Sequence, residues 1–122
     1  MKKVAVLLAP GFEEAEAIVT LDILRRLHID VEGKLICPIC SAAARVLGAH
    51  GLLKGRRYVC SGDLWKAVPE GVYVDAPVVE DGNLISGKGL GHVFDFALTL
   101  SARLLGDDAP VREQAEHIYY PW

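Results

Sequence analysis

The residues with the most chemical potential in this chain are its three cysteines, two of which sit in Cys37-Pro38-Ile39-Cys40. A C-x-x-C offers a redox dithiol, half of a zinc site, or one working thiolate beside an incidental neighbour. A redox dithiol places both sulfurs at the first turn of a helix, where the dipole lowers a thiol pKa. Here the helix-forming residues begin after Cys40, and Cys37 falls within the preceding apolar run. In an extended strand those two side chains point to opposite faces, roughly 10 Å apart along the chain. A disulfide requires α-carbons within about 7 Å. A structural zinc site needs four ligands, usually a second C-x-x-C or paired histidines. Cys60, His50, His92 and His117 are instead scattered singly, so no metal site is expected.

The single-thiolate chemistry fits the spacing better. Cys40 stands at a sharp strand-to-helix turn, the geometry in which α/β folds expose a nucleophile. A helix N-terminus stabilises the thiolate, and the amides of Ser41 and Ala42 could hold a developing oxyanion. The competing reading is an inert buried cysteine, and local sequence alone leaves the two open. Cys37 reads as core.

A proton partner is available upstream. Glu13, Glu14 and Glu16 follow Pro10-Gly11 at the end of the first apolar run. In a parallel sheet the carboxyl ends of strands open on one edge, where ligands bind. The turn after residue 9 and the turn after residue 39 can therefore meet, and these glutamates are candidates to approach Cys40. The alternative for each is a surface charge favoured by the dipole of the following helix.

The elements that must position these groups alternate. Residues 2–9 form a near-continuous apolar run, expected of a strand buried on both faces. A helix is predicted from Glu13 to His28, with Ile18, Leu21, Leu24 and Leu27 at helical spacing. Residues 35–40 read as a second buried strand and Ser41 to Ala49 as a short helix ending before Gly51. Strand is predicted near Arg57–Cys60, Val72–Val74 and Val78–Ser86, with a turn at Asp81-Gly82 or Gly82-Asn83. Asp63–Val68 is a short helix or turn. A glycine-rich loop over Gly87–Gly91 precedes an amphipathic helix over Val93–Leu105, closed by Gly106. Asp108-Ala109-Pro110 opens a last helix, with proline early in it. GKGLG lacks the spacing and place of a dinucleotide fingerprint. It reads as a close approach of backbone near the pocket.

Alternating strands and helices indicate an α/β domain with a mostly parallel sheet. One place resists. Ile29-Asp30-Val31 starts like a strand, yet residue 35 follows within a few positions, too few for the dozen or more that a parallel crossover needs.

With 122 residues the chain fits one domain spanning 1–122, with 52% hydrophobic residues and a net charge of −3. That balance excludes a disordered tail and gives no electrostatic footprint for nucleic acid or a polybasic membrane patch. Two lysines before Val4 resemble a signal peptide, but the apolar run is short and carboxylates follow at once. A cytoplasmic location with reduced cysteines is expected, and an odd cysteine count argues against a disulfide framework.

VAVLLAPGFEEAEAIVTLDILRR, KLICPICSAAARVL and DGNLISGKGLGHVFDFALTL resemble, in order, three segments of the ThiJ/PfpI superfamily. These are its opening strand, loop and helix, its nucleophile-elbow strand, and its closing hairpin, glycine loop and helix. The nearest resemblance is to the branch of the human parkinsonism-linked deglycase and its bacterial relatives. It implies a flavodoxin-like, class I glutamine amidotransferase-like sandwich with helices on both faces of the sheet. Cys40 is implied as the reactive cysteine, readily oxidised to sulfinic acid. Glu16 is implied as the carboxylate hydrogen-bonded to it, Gly11 as the residue shaping the loop between them, and Ser41 as an oxyanion amide. Cys60 stands where relatives often place a pocket histidine. Arg26 aligns near a dimer interface formed through the first helix. No cofactor is implied.

Relatives also carry a long segment between the first helix and the elbow strand, so an internal deletion is expected at Glu32-Gly33. The functional expectation is cofactor-free glyoxalase or deglycase chemistry on a small dicarbonyl or glycated adduct, in a homodimer. The alternatives are an oxidative-stress sensor or chaperone acting through Cys40 sulfinic acid, or an inactive shortened variant.

Overall fold

The structure is a computed structural model that describes residues 13–27 and 35–122. The strand expected over 2–9, Gly11 and the junction at Glu32-Gly33 lie outside the described residues.

The first helix, α1, spans Glu14–Arg26. Glu13 starts it, its Oε2 accepting the Glu16 backbone N–H at 2.9 Å. This satisfies one of the donors that a helix start leaves without an intrahelical partner. The buried stripe differs from the one expected. Glu16, Thr20, Ile23 and Leu24 are buried, whereas Ile18 is 63% exposed. The helix is rotated so that Glu16, rather than Ile18, faces inward.

Residues 35–40 pair in parallel with β4 (Leu84–Gly87), but as bridges at Ile36–Leu84 and Ile39–Gly87 rather than a continuous strand. Pro38 is the reason. Ile36 N–H donates to the Asn83 carbonyl and Ile85 N–H to the Ile36 carbonyl, at 2.8 and 3.0 Å. Gly87 N–H donates to the Pro38 carbonyl and Cys40 N–H to the Gly87 carbonyl, both at 3.0 Å. The missing rung is the one a residue 38 N–H would make, and proline has none. The chain then turns at Cys40 into a wide helical segment at Ala43–Leu47, tightening over Gly48–His50 and ending on Gly51 in the left-handed conformation.

The short strands β1 (Arg57–Tyr58) and β2 (Val72–Tyr73) pair in parallel, with Arg57 opposite Val72. β3 (Val78–Asp81) and β4 form an antiparallel hairpin through Gly82-Asn83. Gly82 has φ +57 there, which glycine adopts without steric cost. Helix α2 covers Val93–Leu105 as the periodicity predicts, ends on Gly106 at φ +67, and is followed by α3 over Ala109–His117.

β4 is buried at every position, and its side chains alternate between two cores. Leu84 belongs to the cluster of Ala43, Ala44, Leu47, Leu53, Tyr58, Cys60 and Val68. Ile85 belongs to the opposite one, with Leu24, Phe96, Leu100 and Leu104, against which Leu35, Cys37 and Ile39 pack. The period-two alternation of a strand thus separates the elbow helix on one face from α1 and α2 on the other. A third cluster joins Ile23, Ala97, Leu98, Val111 and Ala115 between α1, α2 and α3. This is the layered α/β arrangement that the sequence pattern implies.

Gly87 sits where β4 passes closest to α2. A β-carbon there would stand 2.8 Å from Phe96 Cδ2 and 3.2 Å from Ile39 Cγ1. Gly87→Ala is expected to destabilise the fold by about 1–3 kcal/mol, the usual cost of overpacking a filled core. Phe96→Leu should relieve part of that, so a double-mutant cycle read by denaturant unfolding should show a favourable coupling. Additive losses would mean that the Phe96 contact does not set the cost.

Candidate active site

Cys40 has φ +62. For a residue with a β-carbon the left-handed region costs about 1–2 kcal/mol and is held only where the surroundings fix it. Both backbone polar groups of Cys40 are fixed. Its N–H donates to the Gly87 carbonyl and its carbonyl accepts the Ser61 N–H, each at 3.0 Å. The turn ends the paired segment and starts the helix, leaving the thiol partly exposed at the sheet's carboxyl edge. Ser61 gave no signal in the sequence, because its role is played by a backbone amide that any residue but proline supplies.

Of the three upstream glutamates, the structure brings one to the thiol. Glu16 is only 8% exposed and its carboxyl interacts with Cys40. Its pKa is raised, first by burial and further by the nearby Glu13 charge, with the Cys40 hydrogen bond opposing. Glu16 is therefore held toward its neutral form, in which it can donate a proton. Thr20 Oγ1 donates to the Glu16 carbonyl at 2.7 Å in the buried stripe below it. Glu13 caps α1 and Glu14 is exposed.

The two candidate oxyanion amides differ. Ala42 N–H donates to the Ile39 carbonyl at 3.2 Å, so it is occupied in closing the turn. Ser41 N–H has no acceptor among the described residues, while its carbonyl accepts Arg45 N–H at 2.9 Å to start the helix.

The cysteines separate by environment. Cys37 packs against the α1/α2 core, and burial pushes its thiol up to about 11, with Arg103 opposing. All three cysteines are free. Cys60 is fully buried, one residue before the Ser61 amide that holds Cys40. Burial raises its pKa, a hydrogen bond from the Trp65 backbone N–H opposes this, and the neighbouring Cys40 raises it further. Arg26 lies away from this cluster. It pairs with Asp22 at 2.8 Å and borders an open groove with Glu113, Gln114, Glu116 and His117 of α3. Among the described residues no group of three or more His, Cys, Asp or Glu side chains could hold a metal ion. Nor is any helix among them long and apolar enough to cross a membrane.

Comparison with known proteins gives this geometry its context. A DJ-1 superfamily protein from Salmonella typhimurium, solved as a cysteine-to-alanine mutant, matches with a TM-score of 0.95 and 64% identity, covering 100% of both chains. DJ-1alpha of Drosophila melanogaster is 40% identical over 77 residues, 62% of this chain and 35% of that protein. The isonitrile hydratase of Pseudomonas putida is 35% identical over 104 residues, 84% of this chain and 44% of that enzyme. The chain thus spans less than half the length of these two curated relatives, and its fold is a shortened form of the flavodoxin-like α/β sandwich. The model of the DJ-1/PfpI family matches residues 31–103, from before the cysteine turn into the last turn of α2. By that match the chain belongs to the DJ-1/PfpI family.

Proposed function

We propose that the protein is a cysteine-dependent, cofactor-free glyoxalase or deglycase of the stress-response type, acting as a cytoplasmic homodimer. Cys40 adds to small dicarbonyls such as methylglyoxal, or to glycated adducts, and Glu16 is the general acid/base. The observation that carries this reading is a buried Glu16 carboxyl interacting with a thiol that stands on a left-handed strand-to-helix turn. Membership in the family of the DJ-1 proteins supports stress-related chemistry of this kind.

In this reading the Cys40 thiolate attacks the aldehyde carbon, and the neutral Glu16 carboxyl gives its proton to the carbonyl oxygen as that oxygen gains charge. The product is a hemithioacetal facing a Glu16 carboxylate. That carboxylate takes the proton from the sulfur-bearing carbon, giving an enediolate, and returns it to the adjacent carbon while the hydroxyl proton on the sulfur-bearing carbon passes to the neighbouring oxygen. The sulfur is then held in a thioester, which water cleaves to release the 2-hydroxy acid and the thiol. Ser41 N–H steadies the oxygen anion. Burial of Glu16 serves both halves, because a raised pKa keeps more of the carboxyl protonated and makes its carboxylate a stronger base.

Cys40→Ser is expected to bring methylglyoxal consumption down to the uncatalysed background, read by loss of the dicarbonyl and appearance of lactate. Glu16→Gln should lower kcat by about 10²–10⁴-fold, the range for loss of a general acid/base. Consumption that survives Cys40→Ser overturns the mechanism. A wild-type chain that turns over no dicarbonyl but whose Cys40 is oxidised by mild peroxide would fit a sensor or chaperone instead. Hydration of an isonitrile, the reaction named for the Pseudomonas putida relative, would redirect the substrate class.

The raised Glu16 pKa also has a stability signature. The native state keeps this proton to higher pH than the unfolded chain, where the ordinary value is 4.5. The contribution is therefore fully present below that value and is lost as pH rises through the raised native pKa. Glu16→Gln has no proton to lose, so its Tm relative to wild type should climb from about pH 4 to about pH 8. A difference that stays flat across that range would show that Glu16 is not held neutral by the fold.

A further inference from the structure

Cys60 is one of two thiols that the mechanism leaves unused, and it lies beside the reactive one. The Ser61 N–H donates to the Cys40 carbonyl at 3.0 Å, which sets residues 60 and 40 side by side on adjoining backbone. Standard bond lengths then hold their α-carbons within about 5–7 Å. Native disulfides span about 4.4–6.8 Å between α-carbons. The two thiols also interact electrostatically. Cys60 itself is fully buried among Ala43, Ala44, Leu47 and Val68, closed to a bulky reagent but not to a neighbouring sulfur. A second buried polar group accompanies it. The Tyr58 hydroxyl has no hydrogen-bond partner among the described residues and interacts with Cys60.

We propose that Cys60 is a resolving cysteine, which captures Cys40 after its first oxidation and closes an intramolecular Cys40–Cys60 disulfide. The inference rests on Cys40 being the reactive thiol. In the first step the Cys40 thiolate attacks hydrogen peroxide, its sulfur is oxidised to sulfenic acid, and hydroxide leaves. In the second, Cys60 sulfur attacks the Cys40 sulfur, the S–O bond breaks, and the Cys60 proton departs with the hydroxyl as water. Without a partner, sulfenic acid goes on to sulfinic acid, which is not reduced by ordinary thiols. With Cys60 adjacent, the capture is intramolecular and competes with a second peroxide. Cys37, partly buried on the other face of the segment, takes no part. The disulfide would make oxidation at this site reversible by dithiothreitol.

The test is peptide mass spectrometry after equimolar peroxide, with free thiols alkylated and no reductant. Trypsin leaves Cys40 in the peptide 35–45 and Cys60 in the peptide 58–66. The expected product is a cross-link of these two peptides that disappears on dithiothreitol and persists in Cys37→Ser. Cys60→Ala should lose it and accumulate several-fold more sulfinic acid on Cys40. Sulfinic acid on Cys40 in wild type, without the cross-link and at the same yield in Cys60→Ala, overturns the inference and leaves the reactive-cysteine reading standing. A Cys40 that peroxide does not oxidise at all overturns both. The wild-type cross-link alone decides the matter should Cys60→Ala fold poorly.

Discussion

The left-handed backbone at Cys40 is the constraint on which the rest of the site depends. A residue with a β-carbon does not rest at φ +62 by itself. It is held because β4 accepts its N–H through Gly87 and the chain leaving β1 donates to its carbonyl through Ser61. Those contacts come from two segments distant in sequence, and each is in turn fixed by core packing. β4 is locked between the two clusters that Leu84 and Ile85 enter from opposite faces. The strain at one residue is thus offset by burial spread over much of the sheet, as expected where a thiol must be lifted clear of a strand.

The second constraint is electrostatic. A carboxyl is buried beside the thiol because α1 packs on α2 through Ile23 and Leu24, and that packing turns Glu16 inward. Once buried, Glu16 is driven toward its neutral form, and Glu13, anchored on the same helix end, adds to the effect. Glu13 has two effects of opposite character. Its hydrogen bond steadies the helix start, while its charge disfavours a second charge one turn in. The same elements therefore position the acid and tune it.

Glycine and proline mark the places where backbone decides geometry. Gly87 lets β4 approach Phe96 more closely than any β-carbon permits, and it accepts the Cys40 amide at the same point. Pro38 removes a rung from the parallel ladder just before the turn, which is why the cysteine segment is bridged rather than regular. Cys37 remains on the α2 face of that segment, packed and with a raised pKa, so the apparent pair of Cys37 and Cys40 is one thiol packed against the core and one at the turn.

Much of this was legible in the residues. Helix α2 was readable to its last residue, because its apolar spacing is strong and Gly106 stops it. The Gly82-Asn83 hairpin and the short helix after Cys40 were readable for the same reason: periodicity and punctuation are local. Local pattern also separated Cys40 from Cys37, since the strand-to-helix boundary falls at Cys40 while Cys37 lies within the apolar run. It did not choose among Glu13, Glu14 and Glu16, nor foresee that Ile18 would face solvent. Nor did it show that Ala42 would spend its amide on Ile39, or that Ser61 would bond to the Cys40 carbonyl. Each of those depends on how α1 is rotated against α2 and where β1 ends beside the elbow. Sequence specified the residue types and their order along the chain. Tertiary packing alone decided which carboxylate is buried at the thiol and which second cysteine lies beside it, because burial and contact across the sheet have no local signature.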